Sequence, residues 1–286
     1  MADATYCKGL RGDYDKAAAD FTLAQDWSGY TAEEHARWRV LFERQSAMLP
    51  RYAAPEYVKA LAAFDMADGV PRFDRANEHL ARATGFEIVA VPGLIPDDVF
   101  FDHLAARRFP VTVWLRKPEE MDYIVEPDVF HDFFGHVPLL AVPAFADFMA
   151  AYGRLGQVAL ARGALRNLAR LYWYMVEFGL IRGKDGLRVY GAGILSSKTE
   201  LAYAIDDPRP HRIRFNLERV MRTDYRIDDL QKTYFVIDDY DELFAALDRD
   251  VLPMLDRVKD KPAIPATETL RTDEVIHRGM GLPRAA

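Results

Sequence analysis

The chain has 286 residues, of which 50% are hydrophobic and 28% are charged; this composition is typical of a globular protein and excludes a disordered one. Its net charge of −7, without any basic cluster, argues against a nucleic-acid-binding protein. The single cysteine, Cys7, excludes an intramolecular disulfide and a zinc site of the Cys-x-x-Cys type. The start of the chain has no secretory signal and no apolar run is long enough for a bilayer, so we expect a cytoplasmic protein that does not contact membranes. Its chemistry therefore rests on His, Asp or Glu.

The first half of the chain alternates helical periodicity with short β-like runs. Thr31 and Glu34 form a capping-box pattern, which predicts a helix that continues to about Met48. The other elements predicted in this half are helices over 55–66, over 74–84 and after 97, and the strands FEIVAV and PVTVWLR, the second beginning at residue 110.

The second half is predicted to be mainly helical from Asp128 to about Gly179. A short strand near 189, a helix from 197 and the strand YFVI at 234–237 follow, and beyond Pro262 the loss of periodicity predicts an extended or mobile tail. No linker rich in Pro, Gly or Ser interrupts the middle. The predicted fold class is therefore mainly α with small β elements. The predicted organisation is an N-terminal segment at 1–20, a single domain at 21–260 and a C-terminal tail at 261–286.

The most informative stretch for chemistry is EPDVFHDFFGHVP, which contains His131 and His136. Residues five apart are separated by about 140° on a regular helix, so the two imidazoles would not point to the same place. A helix that ends at Gly135 would let His136 turn back toward His131, and the pair would then offer two neutral ligands to a metal. The alternative is a pair of hydrogen-bonded histidines at a helix end.

A third candidate ligand is Glu177, which lies in the apolar and aromatic stretch LYWYMVEFGLI. An ionised carboxylate in such surroundings costs several kcal/mol unless a cation or a metal compensates it. Pairing with Arg170 or Arg182, or protonation of the carboxyl group, is the alternative. Two His and one carboxylate form the facial triad of non-haem Fe(II) oxygenases, whereas a zinc peptidase would show an HExxH motif, which this sequence lacks.

Three motifs, in this order and spacing, closely resemble those of the pterin-dependent aromatic amino acid hydroxylases: EPDVFHDFFGHVPLL, YWYMVEFGL and YGAGILSS. Two earlier stretches are similar to the bacterial phenylalanine 4-hydroxylases of this family: ATGFEIVAVPGLIPDDVFFDHLAARRFP and QDWSGYTAEEHARWRVLFERQ. The resemblance covers residues 20–240. It implies one mostly helical catalytic domain that binds Fe(II). It also implies a tetrahydropterin (tetrahydrobiopterin or a bacterial analogue), with O2 as co-substrate, for hydroxylation of an aromatic ring.

The resemblance also implies residue roles. The iron ligands would be His131, His136 and Glu177. The substrate contacts would be Arg116, Tyr123, Trp173, Gly193 and Ser196. Arg116 would pair with the substrate carboxylate, a task for which a bidentate guanidinium is suited. Glu200 would support an iron histidine, although Ser197 and Glu200 also form a capping-box pattern that gives Glu200 a structural alternative.

The pterin contacts implied by the resemblance come from two parts of the sequence. They are Gly93, Leu94, Ile95, Phe100, Asp132, Ala169 and Tyr172. Core packing is the alternative for Phe100 and for Trp173, since aromatic side chains in helices are commonly core residues.

The resemblance implies that phenylalanine is converted to tyrosine, and Trp173 and Ile227 favour this substrate by analogy. Three alternatives stay open: a tryptophan 5-hydroxylase of the same family, a non-catalytic relative that binds pterin or metal, and a metallohydrolase that binds zinc tightly and needs no O2. We expect an unregulated monomer whose partners are the amino acid and the pterin, with a pterin-recycling dehydratase as a functional partner.

Overall fold

The computed structural model describes residues 9–248, the side chain of residue 248 excepted, and 251–280. Helices dominate these residues and two small sheets accompany them, which confirms the predicted fold class. The described residues form two compact units, 9–50 with 55–157, and 51–54 with 158–248 and 251–280. The predicted boundaries 1–20, 21–260 and 261–286 stay a prediction, and parts of both terminal segments lie outside the described residues.

The first unit contains a small parallel sheet. Strand β1 (Glu87–Val91) pairs with β2 (Arg108–Thr112), and a helix connects the two strands. The register places Ile88 opposite Phe109, and both are buried. The helices that begin in this unit are Ala32–Tyr52, Pro55–Leu61, Phe73–Ala83, Asp97–Ala105, Val137–Leu140 and Pro143–Ala161, with shorter 3-10 turns at Tyr14–Lys16, Trp27–Gly29 and Pro118–Glu120.

Two predicted helices have different lengths in the structure. The first continues past Met48 to Tyr52 and accommodates Pro50 in its last turn. The second ends at Leu61 rather than near Met66, because the chain turns there and the Phe64 N–H donates back to the Leu61 carbonyl at 3.1 Å. The helix predicted over 74–84 is confirmed as Phe73–Ala83.

The strand predicted from Pro110 ends earlier than its sequence suggests. β2 stops at Thr112, whose N–H donates to the Asp132 carboxylate at 2.8 Å. The Trp114 carbonyl then accepts the N–H of Val129 at 2.9 Å. The Val113 N–H still donates to the Val91 carbonyl of β1 at 3.1 Å, and the β-like residues after Val113 turn toward the segment that contains the two candidate histidines.

The second unit contains a five-stranded mixed sheet. Its strands are β3 (Leu180–Gly183), β4 (Gly186–Val189), β5 (His211–Arg214), β6 (Thr233–Ile237) and β7 (Val275–His277). Their order in the sheet is β4-β3-β6-β5-β7. The central strand β6 is buried along its whole length and pairs in parallel with β3 and β5. The edge strands β4 and β7 are antiparallel to their neighbours. The helices are Leu165–Leu171, Ala192–Leu195, Lys198–Asp206, Leu217–Arg222, Tyr240–Asp248 and Val251–Val258.

Residues 263–280, the described part of the segment after Pro262, are extended, as predicted, and a buried ion pair attaches them to the rest of the second unit. The Arg219 guanidinium and the Asp273 carboxylate approach to 3.1 Å with side chains only 4% and 3% exposed. Arg219 also donates to the Thr223 hydroxyl and to the Glu268 carbonyl, both at 2.6 Å. The described part of the tail is therefore an integral part of the fold.

Asp273→Asn is expected to lower the free energy of unfolding by about 2 kcal/mol, because it removes a charge-assisted bond while Arg219 keeps its other acceptors. Urea unfolding measures the effect. Asp228→Asn is the matched control, since Asp228 pairs with Arg226 at the surface, with side chains 60% and 70% exposed. Equal losses of unfolding free energy in the two variants would show that the pair of Arg219 and Asp273 does not stabilise the fold.

Among the described residues, no single helix is both long and apolar enough to cross a membrane. One pair, 130–140 with 143–161, meets these limits by length and composition only when taken together, and it is bent by 113°.

Candidate metal and substrate site

The two candidate histidines lie in a π-helical segment, Phe130–His136, which a regular helix, Val137–Leu140, follows directly. The prediction that a helix ends at Gly135 is therefore wrong. In a π-helix the backbone hydrogen bond joins residues five apart, so residues i and i+5 lie about one turn apart on the same side. The side chains of His131 and His136 therefore point to the same side of the segment, whereas on an α-helix they would point about 140° apart.

Pro138 and a tertiary hydrogen bond together disfavour an α-helix at this point. Pro138 has no N–H and so cannot give the Phe134 carbonyl its α-helical hydrogen bond. The buried Tyr57 hydroxyl donates to that carbonyl instead. Phe130 and Phe134 stack with ring centroids 4.9 Å apart, and both are fully buried. Aromatic packing thus fixes one side of the segment.

The imidazoles of His131 and His136 lie with ring centroids 5.2 Å apart and ring planes at 74°. His136 is buried and its ring packs against Phe109 at 4.9 Å, while His131 is half-buried. The His131 backbone N–H donates to the Asp128 carboxylate at 3.0 Å, which anchors the start of the segment.

Glu177 ends a second π-helical segment, Tyr172–Glu177, in the second unit. The bond that marks it joins the Phe178 N–H to the Trp173 carbonyl, five residues earlier, at 2.9 Å. Glu177 is only 8% exposed. Gly193 lies beside it, and a Cβ added there would lie 3.2 Å from the Glu177 carboxylate and 3.0 Å from the Phe178 ring, so a side chain would require these neighbours to shift.

The two arginines that sequence analysis offered as partners of Glu177 pair elsewhere. Arg170 forms an ion pair with Asp224, and Arg182 donates to Asp238 at 2.8 Å.

One ligand atom from each of His131, His136 and Glu177 lies within 4.8 Å of the other two. Two imidazoles and one carboxylate on one side of a metal leave coordination positions open for O2 and solvent, and this donor set is the one preferred by non-haem Fe(II). The residues present thus fit an iron ion.

Arg116, the candidate carboxylate-binding residue, is buried and forms a bidentate pair with the fully buried Asp128. Its Nε and Nη2 donate to Asp128 at 2.9 and 2.8 Å, and its backbone N–H adds a third bond at 2.8 Å. Burial alone would raise the pKa of Asp128, but the charge and hydrogen bonds of Arg116 outweigh it and the pKa is lowered. Nη1 is the guanidinium nitrogen that Asp128 does not engage.

The other predicted substrate contacts lie in different settings. Tyr123 is 55% exposed, whereas Ser196 is buried and its hydroxyl donates to the Ala192 carbonyl at 2.9 Å. The half-buried Trp173 stacks on Tyr225 with ring centroids 4.5 Å apart and planes at 15°. The substrate roles of these residues stay a prediction.

Glu200 forms half of the predicted capping box. The Ser197 hydroxyl accepts the Glu200 N–H at 3.2 Å, but the Glu200 carboxylate accepts bonds from the Gln231 N–H at 3.1 Å and from the Tyr234 hydroxyl instead of returning to Ser197. Burial raises the pKa of Glu200 to about 7 and outweighs these bonds. The described contacts of Glu200 are therefore within the second unit.

The raised pKa of Glu200 predicts a pH-dependent stability. Between the ordinary value of 4.5 and about 7 the folded protein holds a proton that the unfolded chain has lost, so the free energy of unfolding falls as pH rises through this window. Glu200→Gln keeps an acceptor oxygen for Tyr234 and Gln231 but does not titrate. In urea unfolding, the free energy of unfolding of Glu200→Gln minus that of the wild type should be about 2 kcal/mol larger at pH 8 than at pH 5. Parallel pH curves for the two proteins would contradict this.

The predicted pterin residues fall in both units: Gly93, Leu94, Ile95, Phe100 and Asp132 lie in the first, and Ala169 and Tyr172 lie half-buried in the second. The structure gives the 93–95 loop a support that the sequence did not suggest. The Tyr14 hydroxyl donates to the Leu94 carbonyl at 2.7 Å, and a Cβ added at Gly93 would come within 2.5 Å of the Arg11 carbonyl. The pterin contacts themselves stay a prediction.

Two of these pterin candidates have clear packing partners. The half-buried Phe100 packs against the cluster of Tyr14, Phe21, Val91 and Ile95. Asp132 is buried, and its carboxylate accepts the Thr112 N–H at 2.8 Å. Burial raises the pKa of this carboxyl group.

Sequence reasoning missed two residues of this region. Asp128 stood in the histidine motif itself but was interpreted only as a helix start, although an Asp near a motif Arg is a signal for an ion pair. Gln231, which is 4% exposed and accepts the Trp173 indole N–H at 3.0 Å, gave no signal, because a lone Gln in a polar loop is unremarkable in sequence.

Comparison with known proteins identifies the family. Residues 2–261 match the family described as biopterin-dependent aromatic amino acid hydroxylase. The chain is 53% identical over 275 residues to the phenylalanine-4-hydroxylase of Ralstonia nicotianae, covering 96% of this chain and 87% of that one. It is 54% identical over 280 residues to the phenylalanine-4-hydroxylase of Chromobacterium violaceum, covering 98% and 94%.

Solved structures agree with this result. The Chromobacterium violaceum phenylalanine hydroxylase bound to cobalt superposes with a TM-score of 0.89 at 53% identity, covering 96% of this chain and 99% of that one. The iron- and phenylalanine-bound form of that enzyme superposes with a TM-score of 0.87 at 52% identity, covering 96% and 100%. The chain therefore belongs to the biopterin-dependent aromatic amino acid hydroxylases.

Proposed function

We propose that this protein is a phenylalanine 4-monooxygenase, which converts L-phenylalanine to L-tyrosine with O2 and a tetrahydropterin at a non-haem Fe(II). His131, His136 and Glu177 hold the iron, and their grouping is the observation that carries the proposal. The names of the bacterial relatives, which are phenylalanine-4-hydroxylases over nearly the whole chain, support the choice of substrate.

The iron and the pterin, when bound, would supply the activation of O2, one atom of which is transferred to the ring. The protein's own residues bind and orient. Arg116, held rigidly by Asp128, offers Nη1 to the carboxylate of the amino acid. Trp173 forms one wall for the aromatic ring, and the buried setting of His136 and Glu177 limits access of water to the ligands.

The test is the ratio of kcat/KM for phenylalanine to that for tryptophan at saturating pterin. We expect phenylalanine to be the better substrate, and the reverse ranking would assign the protein to tryptophan 5-hydroxylation. A cytoplasmic monomer that works alongside a pterin-recycling dehydratase is part of the same proposal. Gel filtration with light scattering tests the oligomeric state.

A further inference from the structure

The orientation of the Trp173 ring is fixed by three contacts within the second unit. Its indole N–H donates to the Gln231 side-chain oxygen at 3.0 Å. Tyr225 stacks on it nearly in parallel, and Phe178 packs with ring centroids 4.8 Å apart and planes at 38°. The stacking contacts restrain the tilt of the indole plane, while the hydrogen bond restrains rotation within that plane.

Gln231 is itself immobilised, and its amide can take only one orientation. Its Nε2 donates to the carbonyls of Arg226 and Asp229 at 3.1 and 3.3 Å, while its Oε1 accepts from Trp173. A flipped amide would face two carbonyls with its oxygen and an indole N–H with its NH2 group, so every bond would be lost. The partners therefore determine where the acceptor for Trp173 lies.

Glu200 connects this loop to the rest of the unit. Its carboxylate accepts the Gln231 backbone N–H at 3.1 Å and the hydroxyl of Tyr234 in β6, and its own N–H donates to the Ser197 hydroxyl, which caps the helix Lys198–Asp206. The loop from Tyr225 to Gln231, which includes Ile227, is thus tied at one end to Trp173 by stacking and at the other by a hydrogen bond.

We propose that Gln231 is a positioning residue that sets the Trp173 wall of the substrate pocket and so helps the enzyme to select phenylalanine over the larger tryptophan. This inference rests on the proposed function. A Trp173 ring held from two sides cannot move aside for a larger ring, whereas loss of the Gln231 bond frees its rotation. Gln231 acts through Trp173, and its described contacts are with residues of the second unit.

The experiment compares Gln231→Ala with Asn167→Ala, a matched control. Asn167 is also 4% exposed and its amide also bonds a backbone carbonyl, that of Met221 at 3.0 Å. We expect Gln231→Ala to lower the phenylalanine-to-tryptophan ratio of kcat/KM about tenfold with the KM for pterin unchanged, and Asn167→Ala to lower only stability.

A double-mutant cycle tests whether Gln231 acts through its hydrogen bond to Trp173, since Trp173→Phe removes the indole N–H that donates to Gln231. In the Trp173→Phe background, Gln231→Ala is expected to leave the ratio unchanged. An unchanged ratio in the single variant, or the same tenfold change in both backgrounds, would overturn the proposal.

Hydrogen exchange of the Trp173 indole N–H, followed by NMR, provides a readout that does not depend on activity. It should lose protection in Gln231→Ala, while the indole of Trp38, bonded to the Met66 carbonyl at 2.7 Å, keeps it. Retained protection of Trp173 would overturn the positioning role. A wild-type protein that hydroxylates neither amino acid, yet shows this loss in the variant, would refute the proposed function separately.

Discussion

Glu177→Ala is expected to abolish tyrosine formation and to weaken Fe(II) binding by more than about 100-fold. Residues that only support a metal ligand cost about 10- to 100-fold in metal affinity when they are replaced, so loss of a direct ligand has to cost more. Two neutral imidazoles would remain, and neither of them balances the charge of the metal as a carboxylate does. Anaerobic Fe(II) titration followed by a tyrosine assay measures both effects.

The control for Glu177→Ala is Asp185→Ala, which removes an exposed acid between β3 and β4 in the same unit. It should bind iron and form tyrosine as the wild type does. Full iron binding by Glu177→Ala would show that this carboxylate is not a ligand and that the grouping with the two histidines has another purpose.

Asp128→Ala is expected to lower the free energy of unfolding by about 3–5 kcal/mol, because it leaves the buried Arg116 charge without its counter-ion. Three bonds from Arg116 and one from the His131 N–H are lost together. Since Asp128 also orients the guanidinium, the KM for phenylalanine should rise in any variant that folds. Urea unfolding and steady-state kinetics provide the two measurements.

Asp128→Asn removes the negative charge but keeps the size of the side chain and an amide oxygen that still accepts a bond from Arg116. It therefore measures the contribution of the charge alone. An intermediate loss of stability is expected. Asp74→Ala is the matched control, since Asp74 forms a comparable pair with Arg72 at the surface and should cost less than about 1 kcal/mol. Wild-type stability and KM in Asp128→Ala would rule out this role of the pair.

Local patterns predict the helices of the first half with small errors at their ends. The patterns predict helices from Thr31 to about Met48 and over 74–84, and the structure has Ala32–Tyr52 and Phe73–Ala83. These helices are predictable because they depend on residues close in sequence. The motifs single out His131, His136 and Glu177, which the structure brings within reach of one another, and their role as iron ligands stays a prediction. The partners in the five-stranded sheet, such as Val275–His277 beside His211–Arg214, are far apart in the chain and left no local pattern to recognise.

The two π-helical segments show a different limit. Five-residue spacing of His131 and His136 conflicts with an α-helix, and the conflict was visible in the sequence, but the solution depended on Tyr57 and on the packing of Phe130 and Phe134. Tertiary contacts thus decided the local backbone. The same holds for Gln231, whose role follows from the position of the Trp173 indole and from nothing in its own neighbourhood of sequence.

The central claim is tested most directly by anaerobic reconstitution with Fe(II), followed by addition of phenylalanine, tetrahydropterin and air. We predict that tyrosine and oxidised pterin form in equal amounts. Oxidation of pterin without tyrosine would retain the iron and pterin sites but reject phenylalanine as the substrate. Bound iron with no oxidation of pterin and no product from either phenylalanine or tryptophan would contradict the proposal and indicate a non-catalytic member of the family.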